Sequence, residues 1–217
     1  MCGRMAITLP HDAMAQIFDA RPANDLPEVP NYNVCPTVQV HVVVPGRRLR
    51  AMRWGFVPQW YKTPTGGPLL INARSETVAD KPAFRAAVRD RRCLIVASGF
   101  YEWKRSPDAV PQPWYVTRAD GAPMAMAGIW QDWGRGDDAV TGCAVITCPA
   151  NAAMAPIHDR LPVIVEPADW ALWLGEAGHG AAPLMRPAAE EVLHFIRVST
   201  AVNSNRARGP DLIAPVQ

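Results

Sequence analysis

The sequence predicts one α+β domain over residues 1–217, with a curved, mostly antiparallel sheet or open β-barrel at its core and a few short flanking helices. A chain of 217 residues is long enough for one well-buried domain and short for two. Strand-like runs outnumber helical patterns and do not alternate with them, which argues against a doubly wound fold. The 22 prolines are spread along the chain, as expected for many short elements joined by ordered loops.

Three short helices are predicted from apolar residues at helical spacing. The first is "PHDAMAQIF", which has Pro10 at its start and Met14 on its apolar face. The second is "KPAFRAAVRD" and the third is "PADWALWL". In the third helix we interpret Trp170 and Trp173 as core residues rather than as a platform for a ligand.

Seven runs predict β-strands because they are rich in β-branched and aromatic residues. In chain order they are "VQVHVVV", "RCLIVASGFYEW", "PWYVTRA", "MAMAGIW", "TGCAVITC", "LPVIVE" and "LHFIRVS". If "TGCAVITC" is a strand, Cys143 and Cys148 point to opposite faces and cannot ligate one metal ion there. The five cysteines are odd in number and lack paired spacing, which argues against a disulfide framework and fits a reducing cytosol. We therefore predict no metal site and no cofactor.

The charge pattern leaves the partner open. The formal net charge is only +2, so bulk electrostatics does not require a nucleic acid. Only Lys62, Lys81 and Lys104 among the 22 basic residues are lysines, and arginine forks suit bidentate contacts to phosphate. A GC-rich genome would produce the same bias. No run approaches the roughly 18–20 apolar residues of a membrane span, so we expect a cytoplasmic protein without membrane contact.

The chain begins "MCGR", which raises the possibility that removal of Met1 leaves Cys2 as the first residue. The free α-amine and the thiol would then lie on adjacent carbons. Their reference pKa values, about 7.7–8.0 and about 8.5, leave both groups partly deprotonated near neutral pH. Such an aminothiol traps an aldehyde as an imine and then closes a five-membered thiazolidine ring. The alternative is that Cys2 has no chemical role and is simply a residue at the beginning of the chain.

Glu102 and His158 are polar residues in apolar surroundings. Glu102 lies near the end of "LIVASGFYEW", where an ionised carboxylate is costly unless it is paired or its pKa rises. A raised pKa suits a general acid or base. His158 precedes a strand in "MAPIHDRLPVIV", where a ring aimed into a cleft could transfer protons near neutral pH. A structural role is the alternative for each.

Asn72 lies where the strand-like "PLLI" gives way to "ARSETVADKPAF". A side-chain amide there can donate and accept hydrogen bonds together, and so hold a substrate oxygen or an amine. Arg74 shares the direction of Asn72 if the segment is extended, whereas an Asn-based turn is the alternative. Nearby, "RWGFVPQWY" concentrates aromatic rings that either stack on nucleobases or belong to the core.

With these segments in hand, the chain resembles the SRAP family (SOS response-associated peptidase domain), whose members process abasic sites in DNA. The resemblance rests on motifs that follow one another in the family's order and cover nearly the whole chain. They are "MCGR", "NYNVCPT", "RWGFVPQW", "INARSETVADKPAFR", "RCLIVASGFYEWK", "MAMAGIW", "MAPIHDRLPVIV" and "VSTAVNSNRARGPDLI". Cys35 stands where the family more often has alanine and Met5 where it more often has an aromatic residue, and neither position carries the chemistry.

The resemblance implies roles for particular residues. It implies that the mature N-terminal Cys2 links covalently to the aldehyde of a ring-opened abasic site in single-stranded DNA. Asn72 would sense the site, while Glu102 and His158 would move protons. The expected DNA contacts are Arg4, Asn33, Arg74 and Arg160 at motif positions, together with Trp54 as a stacking ring.

The expected mechanism is imine formation at the Cys2 amine followed by thiazolidine closure by its thiol. Strand cleavage of the lyase type is an expected side activity, and self-removal of Met1 is the expected peptidase activity. One alternative is an N-terminal-nucleophile amidohydrolase in which the Cys2 thiolate attacks a carbonyl. Another is a non-catalytic module that binds single-stranded DNA. We expect a monomer, because no long apolar stripe is left unexplained, and association with the nucleoid upon damage if the source is bacterial.

Overall fold

The computed structural model describes residues 2–216 and confirms the α+β class, with strands far outnumbering short helices. The α-helices are α1 (His11–Ile17), α2 (Arg85–Asp90) and α3 (Trp170–Leu174). The strands are β1 (Met5–Ile7), β2 (Arg21–Pro22), β3 (Asn31–Val34), β4 (Gln39–Val44), β5 (Arg48–Trp54), β6 (Asn72–Arg74), β7 (Arg92–Ala97), β8 (Gly99–Lys104), β9 (Gln112–Arg118), β10 (Met124–Trp133), β11 (Val140–Pro149), β12 (Arg160–Pro162) and β13 (Leu193–Arg197). Single-turn 3₁₀ helices lie at Gly136–Asp138, Pro167–Asp169, Ala182–Leu184, Glu190–Val192, Thr200–Asn203 and Pro210–Ile213.

Five strands close into a barrel. They follow the order β11, β10, β7, β4 and β5, and β5 pairs back with β11 in parallel through Arg53 with Gly142 and Trp54 with Cys143. The closing contact needs a glycine, because a Cβ on Gly142 would collide with the carbonyl oxygen of Gly55. Strands β12 and β6 extend β11 on either side of its C-terminal half. The prediction of an open barrel is thus refined to a closed one.

A second, five-stranded antiparallel sheet lies beside the barrel, in the order β13, β9, β8, β1 and β3. The predicted strand "RCLIVASGFYEW" supplies both layers, because it breaks at Ser98 into β7 of the barrel and β8 of the second sheet. Pairing of Met5 with Phe100 sets β1 against β8. The start of the chain is therefore fixed beside the strand that carries Glu102.

The sequence did not predict β5, whose pattern "RLRAMRW" interrupts apolar residues with three arginines. In the structure Leu49, Met52 and Trp54 of this strand are fully buried in the core. Trp173 of α3 is also fully buried, and its indole Nε1 donates to the carbonyl of Cys93 at 2.8 Å. The interpretation of this tryptophan as a core residue is confirmed. Within residues 2–216 no helix has the length and apolar character needed to cross a bilayer.

His41 is a buried histidine in the middle of β4. It is 1% exposed, neither of its ring nitrogens has a hydrogen-bond partner among residues 2–216, and the ring of His11 lies 5.0 Å away. Burial, followed by the charge of His11, lowers the pKa of His41 from 6.5 to about 4. The folded state therefore holds this ring neutral at pH values where the unfolded chain binds a proton.

This difference predicts an acid-sensitive fold. Because the unfolded state binds more protons between pH 6.5 and pH 4, the free energy of unfolding should fall by about 3 kcal/mol from pH 7 to pH 4 through His41. Urea unfolding of wild type and of His41→Val at both pH values measures this loss, which the variant should lack. His179→Val, at an exposed histidine, is the control and should keep the wild-type pH dependence. An unchanged pH dependence in His41→Val would contradict the assignment.

Candidate functional site

Cys2 lies in the interior, next to the start of β1. The residue is 1% exposed, and the backbone around it is held on both sides. The Arg4 carbonyl accepts a hydrogen bond from the Tyr101 N–H at 2.9 Å, and the Cys2 carbonyl accepts one from the Asn72 side-chain amide at 2.8 Å. Two residues predicted from separate parts of the sequence, Cys2 and Asn72, are thus in direct contact.

The Cys2 thiol is protonated at neutral pH in this environment. Burial raises the pKa of Cys2 well above its usual range, and the negative charge of Glu102 raises it further. The backbone N–H of Arg4 acts in the opposite direction and lowers the pKa of this thiol. A nucleophilic thiolate at this position therefore requires a nearby group that accepts the thiol proton.

Glu102 on β8 is the carboxylate that can accept this proton, because its charge acts on the Cys2 thiol. It is 3% exposed, and burial raises its pKa above the ordinary 4.5, while the charge of His158 and the N–H of Trp103 act in the opposite direction. The electrostatic coupling of Glu102 to both Cys2 and His158 brings three of the four predicted catalytic residues into one group. A carboxyl group with a raised pKa can exchange protons near neutral pH.

His158 lies in the loop between β11 and β12. Its Nδ1 accepts the backbone N–H of Arg160 at 3.0 Å, so the neutral ring carries its proton on Nε2, an assignment inferred from this hydrogen bond. The exposed carboxylate of Asp159 is also 3.0 Å from Nδ1 and can bond to it only when the ring is protonated. His158 and Glu102 line one cleft of about 260 Å³, together with Trp103, Arg105 and Ile157.

Asn72 and Arg74 share one face of β6, as the sequence predicted for an extended segment. Ala73 between them is buried, whereas Arg74 is exposed to solvent. The Oδ1 atom of Asn72 is buried and has no hydrogen-bond partner among residues 2–216, while its Nδ2 is used by Cys2. This amide therefore keeps one acceptor available for an incoming donor.

Arg160 stands at the base of the His158 loop, with a side chain only 10% exposed. Its guanidinium forms a two-pronged ion pair with Glu76 and donates to the Thr147 carbonyl at 2.8 Å. The hydrogen bond with Arg160 lowers the pKa of Glu76 to about 2. Because both terminal nitrogens of its guanidinium already have partners, Arg160 fixes the loop that carries His158 rather than presenting a free charge at the surface.

Two of the residues expected to contact DNA, Trp54 and Asn33, lie inside the fold, and a third, Arg4, is partly buried. Trp54 is fully buried and its Nε1 donates to the Ile71 carbonyl at 3.1 Å, so the prediction that its ring stacks on DNA is corrected. Asn33 is 3% exposed, and its Oδ1 accepts from Arg4 at 2.6 Å while its Nδ2 donates to two backbone carbonyls. The Arg4 guanidinium is partly buried and also bonds the carbonyl of Val202. Of the aromatic cluster in "RWGFVPQWY", Phe56 is buried and Trp60 is 59% exposed.

Sequence reasoning missed Trp103, Arg105 and Ile157 as residues that line the cleft. A signal was present, because Trp103 follows Glu102 directly and Ile157 precedes His158 directly. Arg105 is the exposed basic residue at this cleft. In the part of the chain that the structure describes, no group of three or more histidine, cysteine or acidic side chains could hold a metal ion.

Fold and site together define a class of protein: a closed β-barrel with a flanking sheet, in which a cysteine at the second position is buried beside a carboxylate and a carboxamide, and an imidazole lines the cleft next to that carboxylate. A family model described as "SOS response associated peptidase (SRAP)" matches residues 1–205. The chain therefore belongs to the SRAP family, as the motif order indicated.

Named relatives and a solved structure agree with this membership. The chain is 33% identical to the abasic site processing protein YoqW of Bacillus subtilis over 224 residues, which cover 98% of this chain and 99% of that one. It is 33% identical to the abasic site processing protein YedK of Escherichia coli over 230 residues, which cover both chains fully. A crystal structure of a protein from Bacteroides thetaiotaomicron has the same fold, with a TM-score of 0.89, 21% identity and complete coverage of both chains.

The raised pKa of Glu102 predicts how Glu102→Gln alters stability with pH. The folded protein keeps the Glu102 proton at pH values where the unfolded chain has released it, so this group destabilises the fold increasingly as pH rises above the ordinary carboxyl range. Glutamine does not titrate. The free energy of unfolding of Glu102→Gln relative to wild type should therefore rise between pH 4 and pH 8, as measured by urea unfolding. Glu191→Gln, at an exposed carboxylate, should show no such trend. If the free energy of unfolding of Glu102→Gln relative to wild type stays flat or falls with pH, the raised pKa of Glu102 is contradicted.

Proposed function

We propose that this protein processes abasic sites in single-stranded DNA by forming a covalent link between Cys2 and the ring-opened sugar. The observation that carries the proposal is the burial of Cys2 beside Glu102, with Asn72 bonded to its carbonyl. The names of the relatives YoqW and YedK, abasic site processing proteins, support the substrate class. The protein would act as a monomer in the compartment that holds the genome, where the link protects the site during the response to DNA damage.

The chemistry begins with opening of the abasic sugar. The C1′–O4′ bond of the cyclic hemiacetal breaks, the C1′ hydroxyl loses its proton and O4′ gains one, which leaves an aldehyde at C1′. Glu102 is the group that carries this proton, because it lines the cleft and burial raises its pKa above the ordinary carboxyl value. His158 lines the same cleft and serves as the second proton carrier.

Two bonds then form at the same carbon. The Cys2 amine attacks C1′ and water leaves, which gives an imine; the Cys2 sulfur then adds to the imine carbon, and its proton ends on the nitrogen of the thiazolidine. The net change is loss of one water molecule. The unsatisfied Oδ1 of Asn72 accepts a hydrogen bond from the Cys2 amine and orients it toward C1′. The amine is free only after removal of Met1, a residue outside the described range, and we propose that the protein performs this removal itself.

Strand cleavage competes with ring closure. An imine at C1′ makes the neighbouring C2′ protons acidic and so permits β-elimination of the 3′ phosphate. Addition of the thiol consumes the imine by converting it into the thiazolidine. The protein therefore has lyase activity only as a side reaction. Any slowing of thiol addition should increase cleavage.

The function of Cys2 can be tested with three forms of the protein. Wild type should form a heat-stable adduct with an abasic oligonucleotide, of a mass equal to the sum minus one water. Cys2→Ala lacking Met1 should give only an imine that borohydride traps, because the amine remains and the thiol is lost. A form with an N-terminal extension should give neither adduct, because its amine is in a peptide bond. Intact-mass analysis distinguishes these products.

The controls for this test address the alternatives. Cys35→Ala removes a more accessible thiol and should crosslink like wild type. A stable adduct from the extended protein would mean that a thiol acts without the amine, and the aminothiol mechanism would be wrong. Hydrolysis of small amides with no adduct to DNA would instead favour the amidohydrolase.

The contrast between Arg74 and Arg160 predicts different effects on DNA affinity. Arg74 is exposed on the face of Asn72, so Arg74→Ala should weaken binding to undamaged single-stranded DNA and lower the slope of log affinity against log salt by about 0.7. Arg160→Ala should leave the slope unchanged and slow crosslinking, because it releases the loop of His158 and leaves Glu76 unpaired. Binding titrations at several salt concentrations measure both slopes. A reduced slope in Arg160→Ala would show that this residue contacts phosphate after all.

A further inference from the structure

The C-terminal segment, defined here as residues 199–207, is attached to the part of the chain that carries Cys2. Asn33 forms the attachment: its Nδ2 donates to the carbonyls of Ser204 at 3.1 Å and Ala207 at 2.8 Å. Its Oδ1 accepts from Nη1 of Arg4 at 2.6 Å, and the same Nη1 donates to the carbonyl of Val202 at 3.0 Å. A single buried amide therefore joins the C-terminal segment to Arg4, two residues after Cys2.

Arg4 connects Asn33 to the residues around Cys2 and Glu102. It lies two residues after Cys2, and its carbonyl accepts from the N–H of Tyr101, the residue before Glu102. Its guanidinium also lies over the Trp103 ring, 5.7 Å from the ring centre. Arg4 is thus two residues from Cys2 in the chain and in contact with both neighbours of Glu102.

A second attachment runs directly from the C-terminal segment to the cleft wall. The Oδ1 of Asn203 accepts from the indole Nε1 of Trp103 at 2.7 Å. Val202 in the same segment is fully buried in a small cluster that includes Tyr101. The segment therefore holds Cys2 through Asn33 and Arg4, and holds the Glu102 wall through Trp103.

We propose that Asn33 and the C-terminal segment are positioning elements for the covalent step, an inference that rests on the function proposed above. Asn33 does not touch the substrate. It sets the distance between the Cys2 aminothiol and Glu102, so its loss should slow the chemical step and leave the electrostatic affinity for DNA unchanged. This role differs from the phosphate contact that the sequence resemblance implies for Asn33, and the two roles predict opposite results.

The decisive variant is Asn33→Ala. At saturating abasic oligonucleotide its crosslinking rate constant should fall about three- to tenfold, the range expected when a net hydrogen bond is lost from a reacting geometry. Its affinity for undamaged single-stranded DNA and the salt dependence of that affinity should equal those of wild type. Asn33→Asp keeps the acceptor for Arg4 and loses the donors to Ser204 and Ala207, so its crosslinking rate constant should lie between those of wild type and Asn33→Ala. The matched control is Asn205→Ala, at an exposed asparagine of the same segment, which should behave as wild type.

A readout without DNA separates this proposal from the proposed function. Alkylation of Cys2 by iodoacetamide, followed by peptide mass spectrometry, should be several-fold faster in Asn33→Ala because the buried thiol is less tightly held. This measurement remains informative if wild type forms no adduct, a result that would remove the proposed function without touching the positioning role.

Two outcomes overturn the proposal. One is a lower affinity and salt slope in Asn33→Ala with an unchanged crosslinking rate, which would make Asn33 a phosphate contact. The other is equal alkylation and equal crosslinking in wild type and Asn33→Ala. If Asn33→Ala does not fold, Asn203→Ala and Trp103→Phe test the proposal instead. Each removes the hydrogen bond between the Trp103 indole and the Asn203 side chain. Both should then slow crosslinking and speed alkylation to a similar extent, and the double variant should add little; no effect in either variant rejects the proposal.

Discussion

The site depends on the antiparallel pairing of β1 with β8. This pairing brings the start of the chain against a strand about one hundred residues later, so that Cys2 and Glu102 meet although nothing local connects them. It is possible only because the long apolar run breaks at Ser98, which lets β7 remain in the barrel while β8 enters the second sheet. Asn72 and His158 reach the same place through β11, whose far end pairs with β6 on one side and β12 on the other. The site therefore draws on both layers, the second sheet for Cys2 and Glu102 and the barrel strand β11 for Asn72 and His158.

The electrostatics of the site run against stability. A thiol and a carboxylate are buried together, and burial raises the pKa of both, so that each favours its neutral form. A fold optimised for stability would place apolar groups here, because burial of ionisable groups is unfavourable unless they are paired. The supporting interactions lie one layer further out, in the ion pair of Arg160 with Glu76 and the hydrogen bonds of Asn33. The unfavourable burial of ionisable groups is thus accompanied by polar contacts that fix the residues around them.

The sequence predicts the local elements well and the long-range register poorly. Proline starts and apolar spacing located the three helices, and the polarity of Glu102 within an apolar run marked a residue that the structure buries with a raised pKa. The strand β5 was not predicted because three arginines interrupt its apolar residues and because its buried residues do not alternate strictly, since Ala51 and Met52 are adjacent and both buried. Asn33 and Trp54 were assigned to the surface because motif position says nothing about depth. Burial of an amide or an indole depends on partners far away in the chain, such as the carbonyls of Ser204 and Ile71, and no local pattern encodes them.

The distribution of arginines bears on how such a protein would hold DNA. Arg160 and, in part, Arg4 are engaged inside the fold, which leaves exposed residues such as Arg74, Arg105, Arg206 and Arg208 for phosphate contacts. With a net charge of +2, a small number of such contacts would give modest, salt-sensitive affinity under the proposed function. Under the proposed function, retention at the lesion would come from the covalent bond, and non-covalent binding would only need to last through the proton transfers and ring closure. Selectivity would then follow from chemistry, since an intact nucleotide offers no aldehyde to the aminothiol however well its phosphates bind. The interior arginines would thus help to fix the positions of the reacting groups, and the exposed arginines would lengthen the residence time of the protein on the DNA strand.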